Sequence, residues 1–406
     1  MNIRKKQQPY VFHPPSYSPL LAPFLGKTTE LLMLRGKFNV RQVGIEGADR
    51  IAALVKEGHS ILVAPNHADH ADPFVLDYAG RRWGLPFHYM AAREGFEQNR
   101  LIAFALRRSG VFSIDREGAD IAAIKTAMKL LQECVYPLII FPEGEIYHHH
   151  ERLAPLNEGV ATIRLRASEN LPHGKRAYIV PTAVRYFYHD DVAATFAPRL
   201  DALEERITWK PRPDLGTVER IYRLGSGLLG LKEVEFFGES RPGALVERIL
   251  NLQTRLIERV EAKHGGPPKD KTIPERVKSL RGKIRKKLFE EAGPPAERNA
   301  AALHDDLDTL FLAVQLYSYP GQYLRERPSV HRIAETLLKL EEDVMGSSNY
   351  ATVRRARVRF GEPIDIHQFL QARSLTAKTA AEPLTEHLAQ TIQSMIDAMD
   401  ADPGGV

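Results

Sequence analysis

Between Ile51 and Tyr188 the apolar residues fall into two alternating spacings. Short, unbroken, β-branched runs predict buried strands at Ile61 to Ala64, Phe87 to Ala91, Val111 to Ile114, Leu138 to Phe141 and Tyr178 to Val184. Between them, apolar residues three or four positions apart predict helices, as over Asn99 to Arg108 and Ala119 to Glu133. Strands alternating with helices imply an α/β domain with a largely parallel sheet. Functional residues of such sheets gather at the carboxyl ends of the strands.

Outside this stretch the pattern changes. Residues 1 to 26 are proline-rich with scattered aromatics, predicting an extended segment, and Thr28 to Arg35 carries Leu31, Leu32 and Leu34, a helix able to dock on a core or on a membrane surface. After Val192 the spacing is helical over Ala244 to His264, Pro274 to Glu290, Ala300 to Tyr317 and Ser329 to Met345, punctuated by Gly265-Gly266-Pro267-Pro268 and Gly293-Pro294-Pro295. Val234 to Phe237 alone hints at a strand, and no internal repeat is visible. Arg357 to Ile364 then alternates like an edge strand ended by Gly361 and Pro363, and its simplest home is the first sheet. The expected division is an N-terminal proline-rich and helical segment (1–40), an α/β domain (41–194), a mostly helical insertion (195–350), a return strand (351–370), and a C-terminal helix, Leu384 to Met399, with a loose tail (371–406).

Composition narrows the class. The 406 residues, 43% hydrophobic and 26% charged, have ordinary globular composition and length for two domains. Cys134 is the single cysteine; no intrachain disulfide is possible, and its apolar helical surroundings read as a buried small hydrophobe in a reducing compartment. A net charge of +5 favours anionic partners such as phosphate-bearing lipids, nucleic acids or coenzyme A. No run approaches the ~18 to 20 apolar residues that span a bilayer. Arg4-Lys5-Lys6 resembles the start of a signal peptide, but Pro9, Pro14, Pro15, Pro19 and Pro23 interrupt the stretch where its apolar helix belongs. The expectation is a cytoplasmic protein.

Candidate chemistry begins after the first strand, at Pro65-Asn66-His67-Ala68-Asp69-His70-Ala71-Asp72-Pro73. His67 stands at a strand mouth; Asp72 occupies an N-cap position with Pro73 opening a helix, which turns the chain back within reach of His67. A carboxylate on one ring nitrogen fixes the other as an acceptor, a suitable general base near neutral pH. Alone the spacing is weak, since Asp before Pro is commonly just a cap. Asp69, His70 and Asp77 read as solvent-facing or capping residues. Gly110 to Arg116 and Phe141-Pro142-Glu143-Gly144-Glu145 end further strands; an arginine at a strand mouth is a salt-bridge partner or a phosphate clamp.

Taken together, His67-x4-Asp72 after Pro65-Asn66, Gly110 to Arg116, Phe141 to Gly144 and Ile179-Val180-Pro181 resemble the four ordered blocks of the glycerolipid acyltransferase family, whose type member is lysophosphatidic acid acyltransferase. Val358-x-Phe360-Gly361-Glu362-Pro363-Ile364 resembles the strand that ends that domain, so the resemblance covers about residues 40 to 190 and 353 to 366. It implies a mixed sheet covered by helices and an O-acyltransferase of phospholipid biosynthesis. His67 would take the proton of an acceptor hydroxyl, Asp72 would orient it, and the hydroxyl oxygen would attack an acyl thioester directly. Arg116 would hold the acceptor's phosphate, Glu143 and Gly144 would shape the acceptor site, and Pro181 would be a structural or acyl-donor contact. The implied partners are acyl-coenzyme A or acyl-carrier protein as co-substrate, a glycerophospholipid acceptor, lysophosphatidate first, and a membrane surface approached peripherally. No cofactor, metal or nucleic acid is implied. One departure stands out. The family's Pro-Glu-Gly turn is usually followed by Thr and Arg, whereas here Glu145, Ile146 and Tyr147 follow, and Glu145 would repel a phosphate unless paired with a base such as Arg152.

Two rival readings use the same residues. His67-x-Asp69-His70 matches part of a zinc-hydrolase signature, with His148-His149-His150 as further ligands, but Pro65 stands where that signature's first histidine belongs and adjacent histidines point in different directions. A non-catalytic lipid-binding protein would keep the fold without the chemistry. For Pro274 to Glu290, Val277, Leu280, Ile284 and Leu288 form an apolar stripe among basic residues. The pattern fits a helix docking on anionic membrane or one packed on its own domain.

Overall fold

A computed structural model describes residues 10–116, 120–188, 190–266, 271–289 and 297–400. Expectations for residues 1–9, for the breaks at 267–268 and 293–295, and for the tail beyond Asp400 fall outside them. The described chain forms two compact units. One comprises residues 10–115, 120–188 and 350–400; the other comprises 190–349, with which Arg116 is grouped.

The first unit is built on an eight-stranded mixed sheet: β1 (Val40–Glu46), β2 (Ser60–Pro65), β3 (His88–Ala92), β4 (Val111–Ile114), β5 (Leu138–Ile139), β6 (Ala177–Tyr188), β7 (Arg354–Phe360) and β8 (Ile364–Asp365). The order is β1-β7-β6-β2-β5-β3-β4, with β8 beside β6. The β6–β2–β5–β3–β4 neighbours run parallel, as do β1 and β7, while β6 meets β7 and β8 antiparallel. Every residue of β2 is buried, which is why its sequence is an apolar run rather than an alternation. The unit's helices are α1 (Ala22–Thr29), continued by a π-helical turn at Glu30–Lys37, then α2 (Ala48–Lys56), α3 (Asp72–Arg82), α4 (Arg93–Phe96), α5 (Arg100–Arg108), α6 (Ile121–Glu133) and α7 (Gly159–Ser168). The second unit holds α8 (Phe196–Thr208), α9 (Thr217–Phe237), α10 (Leu245–His264), α11 (Ile273–Phe289), α12 (Glu297–Tyr317), α13 (Tyr323–Glu326) and α14 (Val330–Met345); α15 (Ile366–Ala372) and α16 (Ala381–Asp400) complete the first. Leu62, Ala64, Leu138 and Ile179 form a core with Leu131 of α6, Leu165 of α7 and Leu388 of α16.

β4 is the last strand of the sheet path, and the proline-rich segment covers it. The Ser113 amide donates to the His13 carbonyl, and Ser16 and Ser18 donate to the carbonyls of Arg107 and Arg108. A prolyl strap of this kind blocks pairing with a further strand.

Several expectations change. β7 is not an edge strand: it lies between β1 and β6. Two of its arginines, Arg354 and Arg357, are buried. β1 was not predicted, because a register shift between Val40 and Gln42 breaks its alternation. Val234 to Phe237 is the last turn of α9, closed by Gly238 at φ 84°, and no strand forms there. Cys134 is only half-buried and ends α6 in the left-handed region at φ 55°. The apolar stripe of α11 is interior: Val277, Leu280, Ile284 and Leu288 are all buried, so this helix packs in its own unit rather than offering an apolar face.

Candidate active site

Parallel pairing of β2 with β5 places their carboxyl ends side by side, so the loops carrying His67 and Glu143 leave the sheet together. Asn66 sets the first. Its side-chain amide donates to the Val184 carbonyl at 3.0 Å and its oxygen accepts the Val184 amide at 2.6 Å, extending the β2–β6 ladder by one residue before the chain turns away.

His67 Nδ1 lies 2.9 Å from Asp72 Oδ2, and its ring stacks on Phe141 with centroids 3.9 Å apart. Asp72 is fully buried and begins α3, one position inside the helix rather than before it. It caps no amide of α3. Its Oδ2 also accepts the Asp69 amide at 2.9 Å, and its Oδ1 accepts the Tyr186 hydroxyl at 2.6 Å. A carboxylate so saturated by donors is held in one orientation, and Nδ1 must carry the proton that it accepts. Among the described residues Nε2 of His67 has no hydrogen-bond partner, and the side chain is 15% exposed.

Around this pair lies a second group that the sequence did not disclose. Asp69, expected to face solvent or to cap, is buried: its Oδ1 accepts the Ala71 amide at 2.8 Å and its Oδ2 binds Arg354 Nη1 at 2.7 Å, while Arg354 also donates from Nε and Nη2 to the Phe38 carbonyl. Burial works against the Asp69 carboxylate, but Arg354 outweighs it and holds its pKa below the ordinary range. Arg354 stacks over the rings of Tyr186 and Tyr350 at 4.8 and 4.5 Å. Burial, reinforced by the carboxylates of Asp72 and Asp69, pushes the Tyr186 phenol well above its usual range, so it remains a donor. The only sequence signal for Tyr186 was a large polar ring on a strand buried on both faces, which needs a partner for its hydroxyl. Arg354 and Asp69 are 285 positions apart, beyond any local pattern.

Glu143 does not face solvent. Its two oxygens accept the backbone amides of His67 at 2.5 Å and Ala154 at 3.0 Å. Burial pushes its pKa up to about 8, against the pull of these two amides. Gly144 follows at φ 76°, where a Cβ would lie 2.9 Å from Asn157 Nδ2; that same amide donates to the carbonyls of Pro142 and Glu143 and closes the turn. Pro181 is a structural residue of β6 at the point where the strand changes partner from β8 to β7, so its missing N–H interrupts no ladder, and its carbonyl accepts the Gly361 amide at 2.8 Å. Arg116 stands at a turn two residues past β4, half-buried. Arg152 is exposed and forms no ion pair among the described residues, so the pairing suggested for Glu145 does not form. Asp77 binds Arg81 within α3.

Of the residues of the zinc reading, His70 and His148 come together while the others are engaged elsewhere. His67 is committed to Asp72 and Asp69 to Arg354; the His148 ring meets His70 at 5.4 Å, whereas His150 lies against Tyr186 and Tyr188. Residues 67, 69 and 70 therefore do not converge on one point.

The family model described as Acyltransferase matches residues 42–185, the stretch that carries this loop pair. The chain is 38% identical over 84 residues to a 1-acyl-sn-glycerol-3-phosphate acyltransferase of Streptococcus pneumoniae, an alignment covering 21% of this chain and 30% of that protein. It is 29% identical over 155 residues to a glycerol-3-phosphate acyltransferase of Baumannia cicadellinicola, covering 36% of this chain and 18% of that protein. A glycerol-3-phosphate acyltransferase of Pseudoalteromonas atlantica is 30% identical over 129 residues, covering 30% and 16%. The chain thus spans less than a third of the length of these curated relatives.

Proposed function

From the match of residues 42–185 to the Acyltransferase family model and the likeness to the glycerolipid acyltransferases above, we propose that this chain moves a fatty acyl group from an acyl thioester to the hydroxyl of a glycerolipid acceptor, lysophosphatidate first. The observation that carries the reading is the division of labour on one imidazole: Nδ1 is held by Asp72 and Nε2 is left with an open lone pair. As the acceptor's hydroxyl oxygen attacks the thioester carbonyl, Nε2 takes its proton. The tetrahedral intermediate collapses, the C–S bond breaks, and the departing thiolate receives that proton from the imidazolium. An ester C–O bond has replaced the thioester bond without an acyl-enzyme, and Asp72 stabilises the transient positive charge. Glu143 and Gly144 act at one remove, by fixing the loop and the backbone of His67; Arg116 is the proposed ligand for the acceptor's phosphate.

Long-chain acyl acceptors reside in membranes, and among the described residues no helix is long and apolar enough to cross one. The proposed contact is the surface of α1 and the π-helical turn, where Leu20, Phe24, Leu31 and Leu32 are exposed beside Lys27 and Lys37 while Leu34 is buried in the core. Apolar side chains flanked by cations suit an anionic interface. The test of function is thioester turnover with a panel of acceptors. Acceptor-dependent thiol release with lysophosphatidate or glycerol 3-phosphate is expected, and release with none would remove the reading.

A further inference from the structure

The family match ends at residue 185, and the hydroxyl that completes the coordination of Asp72 comes from the next residue. Tyr186 lies near the end of β6 and Arg354 opens β7, so the two strands from which residues 190–349 depart and to which they return also carry the groups around Asp72. We infer that Tyr186, braced by the Asp69–Arg354 pair, is a positioning residue that sets how strongly Asp72 binds His67, and so sets the basicity of Nε2. The inference rests on His67 being the base proposed above.

The chemistry follows from competition for one carboxylate. Asp72 accepts three hydrogen bonds, from Tyr186, the Asp69 amide and His67 Nδ1, and each donor draws electron density that the others would otherwise use. The Tyr186 hydroxyl therefore makes Asp72 a weaker acceptor toward His67 and restrains the imidazolium from becoming too stable to release its proton. Its ring is held between the Arg354 guanidinium and the strand, and Arg354 is fixed by Asp69 and the Phe38 carbonyl, so the hydroxyl has one place to point. The other titratable groups facing the pair are Glu143, on the His67 amide, and His148, near Asp69; Phe141 covers the imidazole face.

The experiment is an NMR titration of histidine-labelled protein, with His67→Gln identifying the resonance, in wild type, Tyr186→Phe and Arg354→Lys. Losing the phenol leaves Asp72 to His67, so the His67 pKa should rise by ~0.5 unit or more, a shift of the size one hydrogen bond to a charged group produces. Arg354→Lys keeps a cation on Asp69 but loosens the brace, and should shift it the same way by less. With an active acceptor in hand, the acid limb of kcat/KM should move with that pKa and kcat should fall about three- to tenfold at nearly constant KM. An unmoved His67 titration in both variants, whatever their thermal stability, would reduce Tyr186 to a core residue. The NMR readout needs no turnover, so a silent acceptor panel with a shifted titration would defeat the proposed function, and with it the catalytic meaning of the inference, while showing that Tyr186 still governs the Asp72–His67 contact.

Discussion

Two histidines of this chain contact buried aspartates at the same distance, and they end in opposite conditions. In α10, His264 Nε2 lies 2.9 Å from Asp306, while its Nδ1 meets Lys287 Nζ at 3.1 Å and Lys263 also binds the aspartate. In the loop after β2, His67 makes the same 2.9 Å contact with Asp72 but has no hydrogen-bond partner on its other nitrogen among the described residues. The first arrangement is closed: every strong group has a partner, and its product is stability. The second leaves one lone pair in a position fixed by three donors on its carboxylate. A His–Asp contact is therefore not in itself a sign of catalysis, and the proposed function rests on the remaining nitrogen.

The helical unit repeats the closed pattern, which offers the largest test of the contrast. Glu204 is fully buried and accepts from Arg220, Arg223 and the Arg212 amide. Glu204→Ala should destabilise that unit by about 2–3 kcal/mol in urea unfolding, because Arg220 loses its buried carboxylate and keeps the partly exposed Asp201. A loss under about 1 kcal/mol would mean that water reaches this group and that burial does not distinguish the two regions.

Glu143 sharpens the comparison from within the site. Its folded pKa, raised by burial to about 8, lies above its unfolded value, so the folded state favours the protonated acid. Its contribution to stability is complete below the unfolded pKa and is lost as pH rises through about 8. Wild type should thus lose stability relative to Glu143→Gln between pH 5 and 8.5, on the order of a few kcal/mol. Parallel pH profiles for the two proteins would show that the His67 and Ala154 amides fully offset the burial.

How much of the molecule was legible depends on the range of each interaction. The β2 strand, the His67-x4-Asp72 spacing and the blocks at 110–116 and 141–144 are local and could be read directly. β1 was hidden by its register shift, and Val234 to Phe237 was misassigned because bulky residues that suit a strand also close a helix when Gly238 follows. The burial of Arg354 and Arg357 depends on Asp69 and Glu46, partners brought by distant segments, and no local pattern signals it. The α11 stripe was correctly read as amphipathic, but period alone cannot tell a membrane from a neighbouring helix.

That ambiguity yields the smallest predicted effect. Changing Leu20, Phe24, Leu31 and Leu32 to Ser should weaken co-sedimentation with anionic liposomes about tenfold or more, whereas Lys283, Arg285 and Lys286 changed to Gln on α11 should alter it by less than about threefold. The reverse ranking would return the membrane contact to the helical unit.

Catalysis as proposed turns on the open nitrogen of His67, and the most direct measurement sets His67→Gln beside His264→Gln, each assayed for acyl-thioester turnover and for unfolding. His67→Gln should lose ~10² to 10⁴-fold of turnover with its unfolding midpoint nearly unchanged. His264→Gln should keep turnover per folded molecule and lose about 1–3 kcal/mol of stability. If His67→Gln retains more than about a tenth of wild-type turnover, the lone pair left open beside Asp72 is not the base, and the central claim is contradicted.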